Sequence, residues 1–241
     1  MAERTCLHVG TSGFAYKEWK GAFYPSALPA SGMLPYYADH FHTVEINSTF
    51  YRLPSEDALL AWAEAVPADF TFAFKAPQTI THRKRLREAD ESTERFLSVI
   101  KTLGGRLGPA LFQLPPNFKK DLERLEAFLE LLPAEMRIAF GFRHPSWFED
   151  DVVALLGRHN RALCAEEDAE GSTPLIGTTS WGYLRLRRGA YEDTALRDWS
   201  DRIRGRGWSD VFVYFMHEET ATGPRFARRL QQLFASGLPA G

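Results

Sequence analysis

The chain has 241 residues, 44% of them hydrophobic and 25% charged, with a formal net charge of −2. A chain of this length can bury a large core, and this balance of apolar and charged residues excludes a disordered polymer. The near-neutral charge removes any global electrostatic argument for nucleic acid, and no run approaches the ~18 apolar residues of a membrane span. The opening "MAERTCLHVG" lacks the apolar stretch of a secretory leader, so a cytoplasmic protein is expected, with Cys6 and Cys164 as buried free thiols.

In chain order, strands are predicted at 6–10 ("CLHVG") and 43–47 ("TVEIN"), then a helix over 55–66 and a strand at 70–75 ("FTFAFK"). A helix over 89–103 leads to a strand at 109–114 ("PALFQL"), and a helix over 119–132 leads to one at 137–143 ("RIAFGFR"). In the 119–132 segment Leu122, Leu125, Phe128, Leu129 and Leu132 form a 3.6-period stripe that would face the sheet. A helix over 148–159, strands at 162–166 and 182–187, a helix over 193–204, a strand at 210–216 and a helix over 224–236 complete the series. Before the helix over 148–159, Ser146 is positioned to cap a helix beginning near Trp147.

This alternation, without a linker, repeat or low-complexity tract, predicts one α/β domain over 1–241. It is a (β/α)8 TIM-type barrel in which some helices can be irregular or missing, and a doubly wound open sheet is the alternative. A barrel makes a demand on the sequence: functional polar groups should collect where strands run into the following loops. They do collect there. Glu45 and Asn47 end the second strand, Lys75 the third, Gln113 the fourth, Arg143 and His144 the fifth, Glu166 and Glu167 the sixth, Arg185 and Arg187 the seventh, Tyr214 and His217 the eighth.

Parity supports the grouping, because strand residues two apart share a face. Val44 and Ile46 oppose Glu45 and Asn47, Phe72 and Phe74 oppose Ala73 and Lys75, and Leu184 and Leu186 oppose Arg185 and Arg187. The polar sets would point into the barrel mouth, as a ligand site or as an ion network of Glu45, Lys75, Arg143 and Arg185 that only closes the barrel. A divalent metal is a weaker reading: Glu45, His82, His144, Glu167 and His217 are of ligand type, but no His-Glu-x-x-His or Cys-x-x-Cys occurs.

The "THRKRLRE" run (81–88) concentrates Arg83, Lys84, Arg85 and Arg87, as a solvated helix face or a recruiter of anionic substrates. In the first loop Phe14, Tyr16, Trp19, Phe23 and Tyr24 can stack on a sugar or base, or plug the barrel top. "GTSG" (10–13) lacks nucleotide-phosphate spacing, and no Gly-x-Ser-x-Gly elbow surrounds Ser12.

Seven stretches carry a family resemblance. They are "GTSGFAYKEWKGAFYP" (10–25), "FHTVEINSTFYRLP" (41–54), "WAEAVPADFTFAFKAPQTITH" (62–82), "LGPALFQLPPNF" (107–118), "FRHPSWF" (142–148), "YLRLRRGAY" (183–191) and "VFVYFMHEETATGPRFA" (211–227). In these the chain resembles the domain of unknown function 72 family, the YecE-like proteins. The resemblance covers nearly the whole chain and implies a TIM-type barrel but no settled activity. Its recurrent polar positions fall here on Asn47, Ser48, Thr49, Tyr51, Arg52, Glu45, Lys75, His82, Gln113, Arg143, His144 and Arg185. The resemblance also implies departures. Many relatives carry Glu where this chain has Gly141, an Arg-Leu-His-Gly where this chain reads Arg185-Leu186-Arg187-Arg188, and Asp-Asn or Asn-Asn in place of His217-Glu218-Glu219.

The function expected is acid-base chemistry, hydrolytic or related, on a small polar or anionic substrate at the C-terminal face of the barrel. Glu45 or Glu167 would be the base and His144 its partner. Asn47, Tyr51, Arg52, Lys75, His82, Gln113, Arg143, Arg185 and Tyr214 would bind substrate, and no metal ligand is assigned. Two alternatives stand beside it: metal-assisted hydrolysis of a phosphodiester or sugar phosphate with a divalent ion as cofactor, and a non-catalytic barrel that binds a nucleic acid, metabolite or protein. No membrane partner is expected.

Overall fold

The structure is a computed structural model that describes residues 5–216 and 221–236. Eight parallel strands form its centre: β1 (Cys6–Thr11), β2 (Thr43–Ile46), β3 (Thr71–Lys75), β4 (Leu107–Gln113), β5 (Ile138–Gly141), β6 (Ala162–Glu167), β7 (Trp181–Leu186) and β8 (Asp210–Phe215). The order is β1-β8-β7-β6-β5-β4-β3-β2, so each strand neighbours its sequence neighbour and β1 lies beside both β8 and β2. That is the nearly closed barrel of the TIM type, not the open sheet.

The barrel closes at a tight seam. Ser12 and Glu45 form a parallel bridge, and the Gly13 N–H donates to the Glu45 carbonyl at 2.7 Å. A side-chain carbon at Gly10 would sit 2.1 Å from the Thr43 carbonyl oxygen, so only glycine lets β1 and β2 approach this closely. Tyr37 pins the same seam from outside: its hydroxyl accepts from the Thr11 N–H at 2.9 Å and donates to the Thr43 carbonyl at 3.1 Å.

Strand parity divides the core in two, as the alternation predicts. Ala73, Leu111, Ala139, Cys164, Tyr183, Phe212 and Tyr214 fill the barrel interior, whereas Val44, Phe72, Phe74, Phe112, Phe140, Leu184 and Val213 face the helix layer. That layer comprises α1 (Met33–Ala38), α2 (Glu56–Glu64), α3 (Asp90–Lys101), α4 (Leu122–Glu130), α5 (Asp150–Arg158), α6 (Asp193–Arg204) and α7 (Thr222–Ser236). Ser55 caps α2 and Asp121 caps α4, each through its side-chain oxygen.

Four local expectations are corrected. β5 ends at Gly141, so Arg143 leaves on the following loop. Ser146 does not cap a helix: His144 caps a single 3-10 turn, Pro145–Trp147, and α5 starts only at Asp150. The 81–88 run is not a solvated helix face. A π-helical turn, Thr79–Arg83, gives way to left-handed backbone at Arg85, Leu86 and Glu88, and Leu86 is buried. Cys6 is exposed, and only Cys164 is a buried thiol. No helix joins β6 to β7; residues 168–180 form a loop over the C-terminal end of the barrel.

Candidate functional site

Glu45 lies at the centre of the C-terminal end, fully buried. Its Oε1 accepts from the Ser12 hydroxyl at 2.6 Å and from the Arg185 guanidinium at 3.0 and 3.2 Å, and its Oε2 accepts from the Tyr183 hydroxyl at 2.6 Å. Burial alone pushes the carboxyl up. The Arg185 charge and the donors from Ser12, Tyr183 and Arg185 outweigh it and hold Glu45 below the ordinary range. A carboxylate held by four hydrogen bonds and kept ionised is a poor proton acceptor, so Glu45 anchors Arg185 and does not fit the role of base.

Arg185 continues the network. It reaches Asn47 Oδ1 at 3.2 Å and Glu166 Oε1 at 3.5 Å, and the flanking carboxylates raise its pKa despite burial. Glu166 also accepts from Gln113 Nε2, lies 3.6 Å from Arg143 Nε and lies 3.4 Å from Arg187 Nη2, which extends to Asp168 at 3.3 Å. An ion network therefore does close the barrel, but its members are Glu45, Arg185, Glu166, Arg143, Arg187 and Asp168.

Glu167, expected as a base, is corrected: strand parity turns it to the helix side, where it accepts from Trp199 Nε1 at 2.9 Å and pairs with Arg188 at 3.7 Å. Its neighbour Glu166 is the carboxylate in the mouth. Glu166 lies where the missing family carboxylate is implied, since a side-chain carbon on Gly141 would sit 3.2 Å from Glu166 Oε1 and 3.4 Å from Gln113 Cγ. Gly141→Glu is expected to crowd two carboxylates together and raise the pKa of one. A raised carboxyl pKa in the folded state contributes stability below the unfolded pKa, and that contribution is lost as pH rises through the folded value. The variant should thus lose more stability relative to the parent at about pH 8 than at about pH 5 in urea unfolding. An equal loss at both would show that the carboxylates do not meet.

Lys75 stands apart from this network. Among the described residues no carboxylate lies within salt-bridge distance of its amine and no hydrogen bond reaches it; Nζ lies over the Phe50 ring, 4.4 Å from the centroid. Burial, with the charges of Arg185 and Arg143 outweighing part of the pull of Glu45 and Glu166, lowers its pKa to about 8. His82 packs edge-on against the same Phe50 ring at 4.8 Å and pairs through Nδ1 with the Thr81 hydroxyl at 2.9 Å. Burial and the Lys75, Arg143 and Arg85 charges lower its pKa to about 4, so the ring is neutral.

A groove of about 870 Å³ opens over the β5–β7 side of the mouth, with Arg143, Glu166, Asp168, Arg187 and Met216 on its floor and Phe148 and the 169–174 loop on its walls. Glu166, Asp168 and Arg187 were absent from the expected binding set. The signal was present in the sequence as opposite charges ending adjacent predicted strands, because Glu166 and Arg185 are register partners.

Other expected residues lie elsewhere. Tyr214 is inside the barrel below the mouth, hydrogen-bonded to Thr43 Oγ1 at 2.8 Å. Tyr51 is 78% exposed, and it and Arg52 line a separate groove beside α2 and α3. His144 is half-buried with Nδ1 2.9 Å from Ser146 Oγ. Trp19, Phe23 and Tyr24 are buried, Trp19 against Phe23 and Tyr24 and these two against Tyr36 and Tyr37, which settles those three rings as packing. His217 lies outside the described residues. Among the described residues, a convergent set of three metal-ligand types occurs at Cys6, His8 and Asp210, at the opposite end of the barrel. There Asp210 already pairs with His8 and Arg137, each at 2.9 Å.

Fold and site together define a TIM-type barrel with a charged pocket at the C-terminal ends of its strands. The chain belongs to the family described as "Protein of unknown function DUF72", whose model matches residues 8–240. It is 38% identical over 161 residues to the UPF0759 protein YecE of Escherichia coli K12, covering 65% of this chain and 57% of that protein. The chain thus spans a little over half of that relative's length. The UPF0759 protein YunF of Bacillus subtilis is 24% identical over 244 residues, covering 94% of this chain and 84% of that one. Among solved structures, a DUF72 family protein of Thermotoga maritima superposes with a TM-score of 0.83 at 28% identity, covering 95% of this chain and 99% of that one. A methyltransferase from Methanosarcina mazei, at TM-score 0.56 and 10% identity over 98% of this chain and 94% of that one, shares the fold alone. No helix among the described residues is long and apolar enough to cross a membrane.

Proposed function

We propose that the protein is an enzyme that binds a small anionic substrate at the barrel mouth and acts on it by proton transfer. One observation carries the reading: the inner carboxylates Glu45 and Glu166 are each saturated with donors, while the Lys75 amine has no anionic partner among the described residues. A half-buried cation without its counter-charge is costly, and a ligand carboxylate or phosphate relieves that cost. Arg143, 32% exposed at its side chain and only 3.6 Å from Glu166, offers a second cation toward the groove.

The pKa of about 8 gives Lys75 the property a general base needs, because proton transfer is most effective when the group titrates near the working pH. Neutral His82 supplies a hydrogen-bonding ring beside it without adding charge. Among the described residues, the convergent set of metal-ligand types lies at the other end of the barrel.

Calorimetric titration with inorganic phosphate tests the reading. The parent protein is expected to bind, and Lys75→Met and Arg143→Met are each expected to weaken binding at least about tenfold, the loss of one charge-assisted hydrogen bond. Equal affinity in all three proteins would overturn it.

A further inference from the structure

We infer that Lys75 is a nucleophile that forms an imine with the carbonyl group of a small carboxylate- or phosphate-bearing aldehyde or ketone. The inference rests on the anion-binding reading above and names the substrate class within it. Three features of the geometry support it. Lys75 ends β3 at the C-terminal face, where its side chain shares the inward parity of Ala73 and leans into the mouth. Its amine makes no hydrogen bond or ion pair among the described residues, so its lone pair is not held by a neighbour. The Phe50 ring beneath it is an apolar platform, and half-buried His82 stands against the same ring.

The groups that set its charge come from four other elements: Glu45 on β2, Arg143 after β5, Glu166 on β6 and Arg185 on β7. The two carboxylates are committed to Arg185, Arg143 and Arg187, so they offset the ammonium less than their number suggests. Desolvation does the rest, and an amine that is neutral in part near neutrality is the form that attacks carbonyl carbon.

The step balances without an oxidant or reductant. The amine lone pair forms the N–C bond while the carbonyl π pair moves to oxygen, and the proton released from nitrogen passes to that oxygen to give a carbinolamine. One further proton, from solvent, lets the hydroxyl leave as water and yields the protonated imine. Its positive charge lies beside the anionic group of the same substrate, which Arg143 is placed to hold. The protonated imine then withdraws electrons from the adjacent carbon and acidifies it, so in this reading Lys75 promotes proton transfer as an electron-withdrawing imine and not as the free base.

The test uses the intact protein and two anionic carbonyl probes, glyoxylate and pyridoxal 5'-phosphate, with uncharged propanal as a third arm. Borohydride reduction turns each imine into a stable secondary amine, and peptide mass mapping locates it among only seven lysines. At about pH 7.5 the anionic probes are expected to label Lys75 at least about tenfold faster than exposed Lys17, Lys20 and Lys119, with labelling suppressed by inorganic phosphate and slower with propanal. Labelling of Lys75 no faster than of the exposed lysines overturns the inference. The two readings fail separately: phosphate binding with an unlabelled Lys75 sinks the imine and leaves anion recognition standing, whereas selective labelling without phosphate binding supports the nucleophile and sinks anion recognition. Glyoxylate against pyridoxal 5'-phosphate separates a carboxylate from a phosphate as the anchoring group.

Discussion

Arg185→Met is expected to lower the unfolding free energy by about 3–5 kcal/mol, the cost of leaving buried charge without its partner. Arg185 and Glu45 are both almost wholly inaccessible, and removing the guanidinium strips Glu45 of two of its four donors and Glu166 of one cation. Urea unfolding followed by tryptophan fluorescence gives the number. Arg158→Met, which breaks an exposed pair with Glu126 at 3.5 Å, is the control and should cost less than about 1 kcal/mol. If the two variants lose the same amount, the mouth is too wet for its ion network to hold the barrel together.

The second large effect is on pH dependence. A lysine whose folded pKa is about 8, against an ordinary 10.5, binds fewer protons in the folded than in the unfolded state between those values. Stability contributed by this group therefore rises with pH across that window and is flat below it. The slope stays under the roughly 1.4 kcal/mol per pH unit that one whole proton of difference gives, because Lys75 keeps some contact with solvent. Comparing the parent with Lys75→Met isolates the contribution: the variant should be the more stable protein at about pH 7, and the gap should close by about pH 10. A gap that does not change with pH would mean that the ammonium is solvated in the folded state.

Much of this architecture was legible in the sequence because period-2 and period-3.6 patterns report directly on which face is buried. β3 shows it well, with Phe72 and Phe74 outside and Ala73 and Lys75 inside, as alternation requires. β6 shows the limit. Ala162, Leu163, Cys164 and Ala165 are apolar on both faces, so the pattern does not say which of Glu166 and Glu167 points inward; in the structure it is Glu166, while Glu167 meets Trp199. The loop between β6 and β7 agrees with the absence of a helical pattern there, whereas the left-handed turn at Arg85 and Leu86 follows from tertiary packing that no local propensity encodes. Tyr214 shows a second limit, because it faces inward as parity requires yet lies below the mouth: parity gives the face of a strand, not the height along the barrel.

The same limit explains why the expected ion network and the expected site overlapped. Lys75, Glu45 and Arg185 stand at strand ends and Arg143 just beyond one, and only the geometry separates the three that are paired from the one that, among the described residues, is not. The glycine at 141 fits this account. Where the family resemblance implies a glutamate, Glu166 of the neighbouring strand lies over Gly141, so the mouth keeps a carboxylate contributed by a different element.

Among the described residues Lys75 is the one inner charge left uncompensated, and its own titration tests this most directly. In protein labelled with carbon-13 at the lysine ε position, the Lys75 signal, assigned by its loss in Lys75→Met, should titrate with a midpoint of about 8. A midpoint at or above the ordinary 10.5 would show that Lys75 is paired or solvated, and would contradict the account.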